Sequence, residues 1–182
     1  MPFPVRLQMK RTKLKNLVYT ALSAGLLCVL SPIALPFGVV PITLCTLLIY
    51  LYAYIHTPKV AVFSVIIYVA CGFTGLPVFS SFTGGITQLL SPSGGFILGY
   101  IPFVIILTAG FKKTINSLLK FIIMLISTFV LYAVGAFWYL LWLKSGDINA
   151  VILMILPFIP GDIIKITVVS LIGTKIKSVV NK

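Results

Sequence analysis

Three long stretches of this 182-residue chain carry no charged side chain: residues 16–58, 60–111 and 121–143, which are 43, 52 and 23 residues long. A helix of about 20 apolar residues crosses the hydrocarbon core of a bilayer. Only 9% of the residues are charged, whereas a soluble domain carries about 25%. The sequence therefore predicts an integral membrane protein and excludes a soluble enzyme, a disulfide scaffold and a disordered tail.

The apolar segments predict helices rather than strands. Strands of a membrane barrel alternate apolar and polar residues, and runs such as Phe121-Ile-Ile-Met-Leu-Ile do not. The predicted fold class is an all-α integral membrane protein, a single domain over residues 1–182 that forms a six-helix transmembrane bundle. Glycine, proline and charged residues mark the ends of the six predicted helices. These helices span about residues 14–30, 42–55, 60–72, 94–111, 118–143 and 160–177.

The basic residues predict the orientation of the bundle. With the N-terminus inside, twelve of the 14 Lys and Arg residues fall in cytoplasmic segments: the N-terminal segment, the turn with Lys59, the loop between the fourth and fifth helices, and the C-terminal tail. Positive residues concentrate on that side of membranes, so both termini are predicted to be cytoplasmic, in a bacterial plasma membrane. Basic residues at helix ends indicate contact with the lipid bilayer and no nucleic-acid partner.

The sequence offers little for catalysis. It contains no phosphate-binding motif of the G-x-x-x-x-G-K-[ST] type, and His56 is its only histidine. Its three cysteines match no zinc or redox spacing. We therefore predict no catalytic residue, no metal site and no cofactor, which leaves binding or transport as the main function.

Asp162 and Lys165 are the most informative residues. Lys175, at the inner interface, follows Asp162 by 13 residues, or about 20 Å of helix, so the carboxylate lies about 10 Å below the outer surface of a core roughly 30 Å thick. Charged residues at such depth usually face a protein-lined cavity. A ligand site and a purely structural ion pair that caps the helix both remain open.

Residues 72–93 form a long uncharged connection that is rich in Gly, Pro, Ser and aromatic residues. Irregular backbone near a membrane must be buried in protein or line a cavity. We expect this segment to fold over the outer mouth of the bundle as a lid, and a plain surface connection is the alternative.

Two pairs of small residues stand four positions apart: Ala21 with Gly25, and Gly95 with Gly99. Such pairs form flat strips where another helix can approach closely. Each strip either packs inside the bundle or docks another membrane subunit.

Several motifs carry a family signal. They are Pro41-Ile-Thr43-Leu, Gly75-Leu-Pro-Val-Phe79, Gly84-Gly85, Ser91-Pro92-Ser-Gly94-Gly95-Phe96-Ile-Leu-Gly99 and Leu156-Pro-Phe-Ile-Pro-Gly161-Asp162-Ile-Ile-Lys165. Together they resemble the BioY family, the biotin-specific S components of energy-coupling-factor (ECF) vitamin transporters. The resemblance covers about residues 17–177.

The resemblance implies a non-enzymatic bundle that binds biotin at its outer side. It also implies two kinds of partner, an ECF transmembrane coupling subunit and two cytoplasmic ATPase subunits, with Ala21 and Gly25 at the coupling subunit. Cys45 and Phe96 replace the Gln and Tyr that the family often has, so no site role is carried onto them.

Biotin suits the residues of these motifs. A carboxylate can accept hydrogen bonds from the ureido N–H groups, an ammonium can pair with an acceptor or an anion, and neutral polar and aromatic groups can surround the ring. The predicted substrate-binding residues are Asp162, Lys165, Gln88, Thr43, Phe79, Gly94 and Gly95. The end of biotin that meets Lys165 is left open, as are two alternatives: an S component for another small vitamin, and a stand-alone small-solute carrier or channel.

Overall fold

The computed structural model describes residues 5–35, 40–144 and 147–180, and within them the chain is mostly helical. A two-stranded antiparallel hairpin, in which Ala34 pairs with Thr43, precedes the second helix. The elements in chain order are α1 (Val5–Leu30), β1 (Ala34–Leu35), β2 (Ile42–Thr43), α2 (Cys45–Ile55), α3 (Pro58–Phe73), α4 (Gly94–Lys113), α5 (Ser117–Leu143), α6 (Ile148–Ile155) and α7 (Phe158–Val180).

Local sequence signals set several helix ends. Helix α3 begins at Pro58, whose missing N–H is not needed in a first turn. The side chain of Asn116 accepts a hydrogen bond from the backbone N–H of Leu118 at the start of α5, and Asp147 does the same for Asn149 at the start of α6. These side-chain caps satisfy N–H groups that have no partner within the helix.

Four helical segments are long and apolar enough to cross a membrane: Thr12–Leu30, Gly94–Lys113, Ser117–Leu143 and Ile148–Gly173. The coarse prediction of an all-α membrane protein is thereby confirmed. Helices α2 and α3 have 11 and 16 residues, or about 17 and 24 Å at 1.5 Å per residue. The count of six membrane-crossing helices stays a prediction, as do the cytoplasmic termini.

The bundle is apolar outside as well as inside. Large side chains such as Leu17, Phe129 and Leu171 are more than 60% exposed, which is the arrangement expected of a surface in contact with lipid. Inside, helix α4 packs along α5, α1 along α3, and α2 along α7. The hydroxyl of Ser64 in α3 donates to the carbonyl oxygen of Thr20 in α1 (3.2 Å), so a polar contact reinforces that helix pair.

The two small-residue strips have different surroundings. A Cβ atom at Gly95 would lie 2.2 Å from the Cβ of Trp138, and one at Gly99 would lie 2.9 Å from Leu131 Cδ1. This strip therefore packs α4 against α5. Ala21 and Gly25 are exposed, and, apart from the nearby backbone of α1 itself, no atom of the described residues would lie within 4 Å of a Cβ at Gly25. Internal packing does not explain this second strip, and its docking role stays a prediction.

The segment between α3 and α4 contains two short 3₁₀ turns, Ser80–Phe82 and Ile86–Gln88. It is tied to the bundle at several points: Gly85 N–H donates to Gly72 O (2.7 Å), Ser81 N–H to Pro32 O (3.1 Å), and Trp138 Nε1–H to Ser91 O (3.2 Å). These bonds hold the segment against the ends of three helices. Its action as a lid stays a prediction.

We predict that Gly95→Ala destabilises the bundle. The added methyl would overlap Trp138 and push α4 away from α5, and overpacking of this kind costs about 1–3 kcal/mol. Thermal unfolding of the detergent-purified protein, followed by the fluorescence of its 2 tryptophans, measures the effect. Gly25→Ala is the matched control, because its methyl meets no neighbour and alanine favours helix. Equal melting temperatures for the two variants would contradict the described packing.

Candidate ligand-binding site

Asp162 and Lys165 lie near the start of α7 on one face of the helix, with their Nζ and Oδ1 atoms 3.0 Å apart. Asp162 is only 4% exposed, and the Lys165 side chain is 12% exposed. Since α2 packs along α7, strand β2 brings Thr43 and the first turn of α2 brings Thr46 to the pair. The pair is therefore enclosed by protein on the side that faces α2.

The Lys165 ammonium has three partners. It donates to the backbone carbonyl of Thr43 (2.8 Å), to Thr46 Oγ1 (2.9 Å) and to Asp162 Oδ1 (3.0 Å). An ammonium has three N–H donors, so these contacts use all of its hydrogen-bonding capacity. Lys165 is thus already satisfied by the protein.

The Asp162 carboxylate is bound from three helices. Its Oδ1 accepts from Lys165 and from the Thr46 hydroxyl (3.1 Å), and its Oδ2 accepts from the Tyr132 hydroxyl of α5 (2.7 Å). An ionised carboxylate can accept about four hydrogen bonds. Among the described residues three acceptor positions are used, so Oδ2 retains one for a further donor.

A cavity of about 30 Å³ adjoins the pair. Its lining is partly polar and partly aromatic, and the Phe96 and Phe158 rings in it stack with centroids 5.6 Å apart. The lining residues are Val40, Thr43, Thr46, Phe96, Tyr100, Leu131, Tyr132, Phe158, Asp162 and Lys165. A space of this size admits about one water molecule, so a larger guest requires its walls to move apart.

A second cavity, a groove of about 250 Å³, reaches Asp162 from the side of the bundle between α5 and α7. Phe129 and Ile163, both exposed, stand at its rim, and Tyr132 and Asp162 line it as well as the inner cavity. The Tyr132–Asp162 hydrogen bond therefore separates the inner cavity from an apolar groove on the surface.

Three of the predicted binding residues meet at this site: Asp162, Lys165 and Thr43. Thr43 contributes its backbone carbonyl to Lys165, whereas its side-chain oxygen accepts from the backbone N–H of Cys45 (3.3 Å) at the start of α2. In this conformation the Thr43 hydroxyl oxygen holds the local backbone.

Phe79 and Gln88 lie in the segment between α3 and α4 and are not among the residues that line the cavity. Phe79 is buried against the rings of Tyr68 and Phe73, with centroids 5.7 and 5.8 Å away. The Gln88 side-chain oxygen accepts from the Ser91 hydroxyl (3.2 Å). Both residues organise the segment itself, and their contact with a ligand stays a prediction.

Gly94 and Gly95 also lie outside the lining of the cavity. A Cβ at Gly94 would lie 2.2 Å from the carbonyl oxygen of Leu89, and one at Gly95 would overlap Trp138. The absent side chains therefore allow close packing at the start of α4. A role of these glycines in binding stays a prediction.

Four residues at the site were not expected from the sequence: Thr46, Tyr132, Phe96 and Phe158. Thr46 stands one turn after Thr43, and Phe158 precedes the Pro-Gly-Asp motif, so their positions give a weak signal. Tyr132 lies 30 residues from Asp162 in an uncharged span, and only the packing of α5 against α7 brings the two together.

We predict that Lys165→Met strongly destabilises the protein. It leaves the Asp162 carboxylate buried without its counter-charge, and breaking a buried pair costs about 3–5 kcal/mol. The melting temperature of the purified protein at neutral pH is the measurement.

The double variant Asp162→Asn/Lys165→Met is the matched control for that experiment. It should recover part of the loss, because no isolated charge remains in the site. A Lys165→Met protein as stable as the unmodified chain would mean that the ion pair does not hold the site.

Known proteins match this chain over nearly its whole length. The model of the BioY family matches residues 7–182. The Lactococcus lactis protein named biotin transporter BioY2 is 33% identical over 166 residues, which cover 91% of each chain. The Thermotoga maritima biotin transporter BioY is 34% identical over 167 residues, covering 90% of this chain and 96% of that protein.

A solved structure has the same fold. The crystal structure of the S component for biotin from an ECF-type ABC transporter superimposes with a TM-score of 0.84 and 27% sequence identity. The match covers 92% of this chain and 93% of that one.

Proposed function

The chain belongs to the BioY family, and from that premise we propose that it is the biotin-binding S component of an ECF vitamin transporter. It is a multi-pass membrane protein whose relatives are named as transporters rather than enzymes. The observation that carries the proposal is the buried Asp162–Lys165 pair beside an enclosed cavity. An ionic pair in that position suits a small polar guest.

In this proposal Asp162 receives the ureido ring of biotin. Its Oδ2 atom has an acceptor position left, whereas the three N–H groups of Lys165 already have partners. Lys165 then acts mainly by holding the carboxylate ionised and oriented. The stacked rings of Phe96 and Phe158 offer an apolar wall for the fused thioether ring.

Binding requires the cavity to enlarge, since its present 30 Å³ is far below the size of a vitamin-binding pocket. Enlargement towards the segment between α3 and α4 would bring the ligand to Phe79, Gln88, Gly94 and Gly95. By moving, that segment would open and close the outer mouth of the bundle as a lid. All the predicted binding residues could therefore contact one ligand only in a conformation that is more open than this one.

The proposed topology has six membrane-crossing helices and two cytoplasmic termini. It is supported by four long apolar segments, by the shorter apolar helices α2 and α3, and by the basic residues at one end of the bundle. Helix α6 then forms a short outer piece before α7. Asp162 faces the outer half of the membrane in this arrangement.

Energy for uptake would come from partner proteins, because the chain contains no phosphate-binding ATPase motif. We propose the ECF transmembrane coupling subunit and two cytoplasmic ATPase subunits as those partners. The exposed Ala21–Gly25 strip on α1 is the proposed contact with the coupling subunit. The relatives are named biotin transporters, which favours biotin over another vitamin or a stand-alone carrier.

We predict that Asp162→Asn weakens biotin binding by about tenfold or more, since a hydrogen bond to a charged group contributes about 1.5–3 kcal/mol. Calorimetric titration of the purified protein with biotin measures the dissociation constant. Asp147→Asn is the matched control: it changes the only other acid, and Asn caps α6 as well as Asp does. An unchanged dissociation constant for Asp162→Asn would remove this residue from the binding site.

We predict that the double variant Ala21→Trp/Gly25→Trp abolishes assembly with the coupling subunit and spares biotin binding. Two indole rings would fill the flat strip on which another helix can approach. Co-purification of the ATPase subunits and a biotin titration measure the two effects. Ile126→Trp, at an exposed site on α5, should leave both unchanged. Assembly that survives the double variant would show that the strip faces only lipid.

A further inference from the structure

Two of the three cysteines lie side by side in neighbouring helices. Cys28 is in the last turn of α1 and Cys71 is in the last turn of α3, and their side chains lie within hydrogen-bonding reach of each other. Both are free thiols and both are half-buried. Neither residue lines the cavity or the groove at Asp162, so the pair is separate from the candidate ligand-binding site.

The register of α1 against α3 explains why the two thiols meet. The two helices pack along each other. Asn16 and Lys59 line the same groove, and further along the helices the hydroxyl of Ser64 donates to the carbonyl oxygen of Thr20. The partners in these two pairs are 43 and 44 residues apart, so α1 and α3 run in the same direction. The two cysteines are also 43 residues apart, and they therefore face each other two turns beyond the Thr20–Ser64 contact.

The cysteines lie where the segment between α3 and α4 is anchored. Gly85 N–H donates to the carbonyl oxygen of Gly72, which directly follows the cysteine of α3, and Ser81 N–H donates to that of Pro32, four residues after the cysteine of α1. Each helix continues for two residues beyond its cysteine, or about 3 Å of helix axis. A small reagent can therefore reach both thiols from this end of the bundle.

We propose that Cys28 and Cys71 are a redox pair whose reversible disulfide fastens α1 to α3. Two cysteines can be joined without moving the backbone only where their side chains face each other, and the register of the two helices meets this condition. In the proposed topology this end of the bundle faces the outside of the cell, where disulfides persist. The inference needs only the packing of α1 against α3, and it is independent of biotin binding.

The bond forms by exchange with a small disulfide from the surroundings. The thiolate of one cysteine attacks that disulfide, forms a mixed disulfide and releases one small thiol, and the second cysteine then displaces the other small thiol. The cysteine pair loses two electrons and the small disulfide gains them. The two protons of the cysteines are balanced by the two protons taken up by the released thiols.

The test uses the full-length protein purified in detergent, with hydroxyethyl disulfide as the oxidant at mildly alkaline pH, because the thiolate is the attacking species. Remaining thiols are blocked, the protein is digested without reduction, and mass spectrometry identifies linked peptides. We expect peptides joined through Cys28 and Cys71, and their separation by dithiothreitol. A bond to Cys45, a bond between two chains, or reagent adducts without a bond within the chain would each overturn the proposal.

Single variants identify the pair. Cys28→Ser and Cys71→Ser should each abolish the link and leave a reagent adduct on the remaining thiol. Cys45→Ala is the matched control, because the Cys45 thiol is buried beside Tyr68 and Tyr100, and it should keep the link. A link lost equally in Cys45→Ala would overturn the assignment. The melting temperature of each reduced variant reports whether it folds, and if the control does not fold, the linked peptides of the unmodified chain decide the proposal.

The stability of the oxidised protein separates facing thiols from a chance encounter. A cross-link between positions 43 residues apart restricts the unfolded chain, so an unstrained disulfide should raise the melting temperature by about 5–10 °C. Dithiothreitol should reverse the shift, and Cys28→Ser should show none under the same oxidant. A melting temperature that oxidation leaves unchanged or lowers would show that the two thiols do not face each other in the folded protein, and it would overturn the proposal.

Discussion

The hydrogen-bonded ion pair between Asp162 and Lys165 is the interaction on which the site depends. Each charge alone would be costly to bury in a membrane protein. The ammonium is compensated by the carboxylate and by the oxygens of Thr43 and Thr46, and the carboxylate by the ammonium and by the hydroxyl donor of Thr46. These contacts join α2 to α7, and the Tyr132 hydroxyl adds α5. The pair is thus both the chemical centre of the site and the link between three helices.

This dual role explains why the cavity is small. The three N–H groups of Lys165 are all bonded to protein oxygens, so no space for a further acceptor is needed around the ammonium. The side chains around the pair, including the stacked rings of Phe96 and Phe158, leave a cavity of only about 30 Å³. The carboxylate is different, since Oδ2 keeps an acceptor position beside Tyr132. In the proposed binding mode, the guest enters by movement of the aromatic residues and of the segment between α3 and α4, and the ion pair stays intact. A site built in this way keeps its charges ordered whether or not a guest is present.

The sequence predicted the ion pair and Thr43 but not the other residues around the pair, and the reason is physical. Asp162 and Lys165 are recognisable because a charge at that depth in a membrane is costly, and because residues three positions apart on a helix lie on the same face. Tyr132 and Phe96 are recognised as site residues only in the folded structure, where Tyr132 bonds Asp162 and Phe96 stacks on Phe158. No local sequence pattern predicts these contacts between distant helices. Gly94 and Gly95 lie in one of the motifs that resemble the family, and a Cβ at either position would overlap Leu89 or Trp138. The small residues of that motif thus serve close packing in this structure.

The lysines at the two ends of the bundle are stabilised in different ways. The chain has only two side-chain carboxylates, and the buried one, that of Asp162, pairs with Lys165. The ammonium of Lys120, at the other end of the bundle, lies near the rings of Tyr54 and Phe111, whose π-electrons stabilise a cation. The ion pair leaves the site at Asp162 electrically balanced, and a balanced site with a remaining acceptor position suits a guest that donates hydrogen bonds.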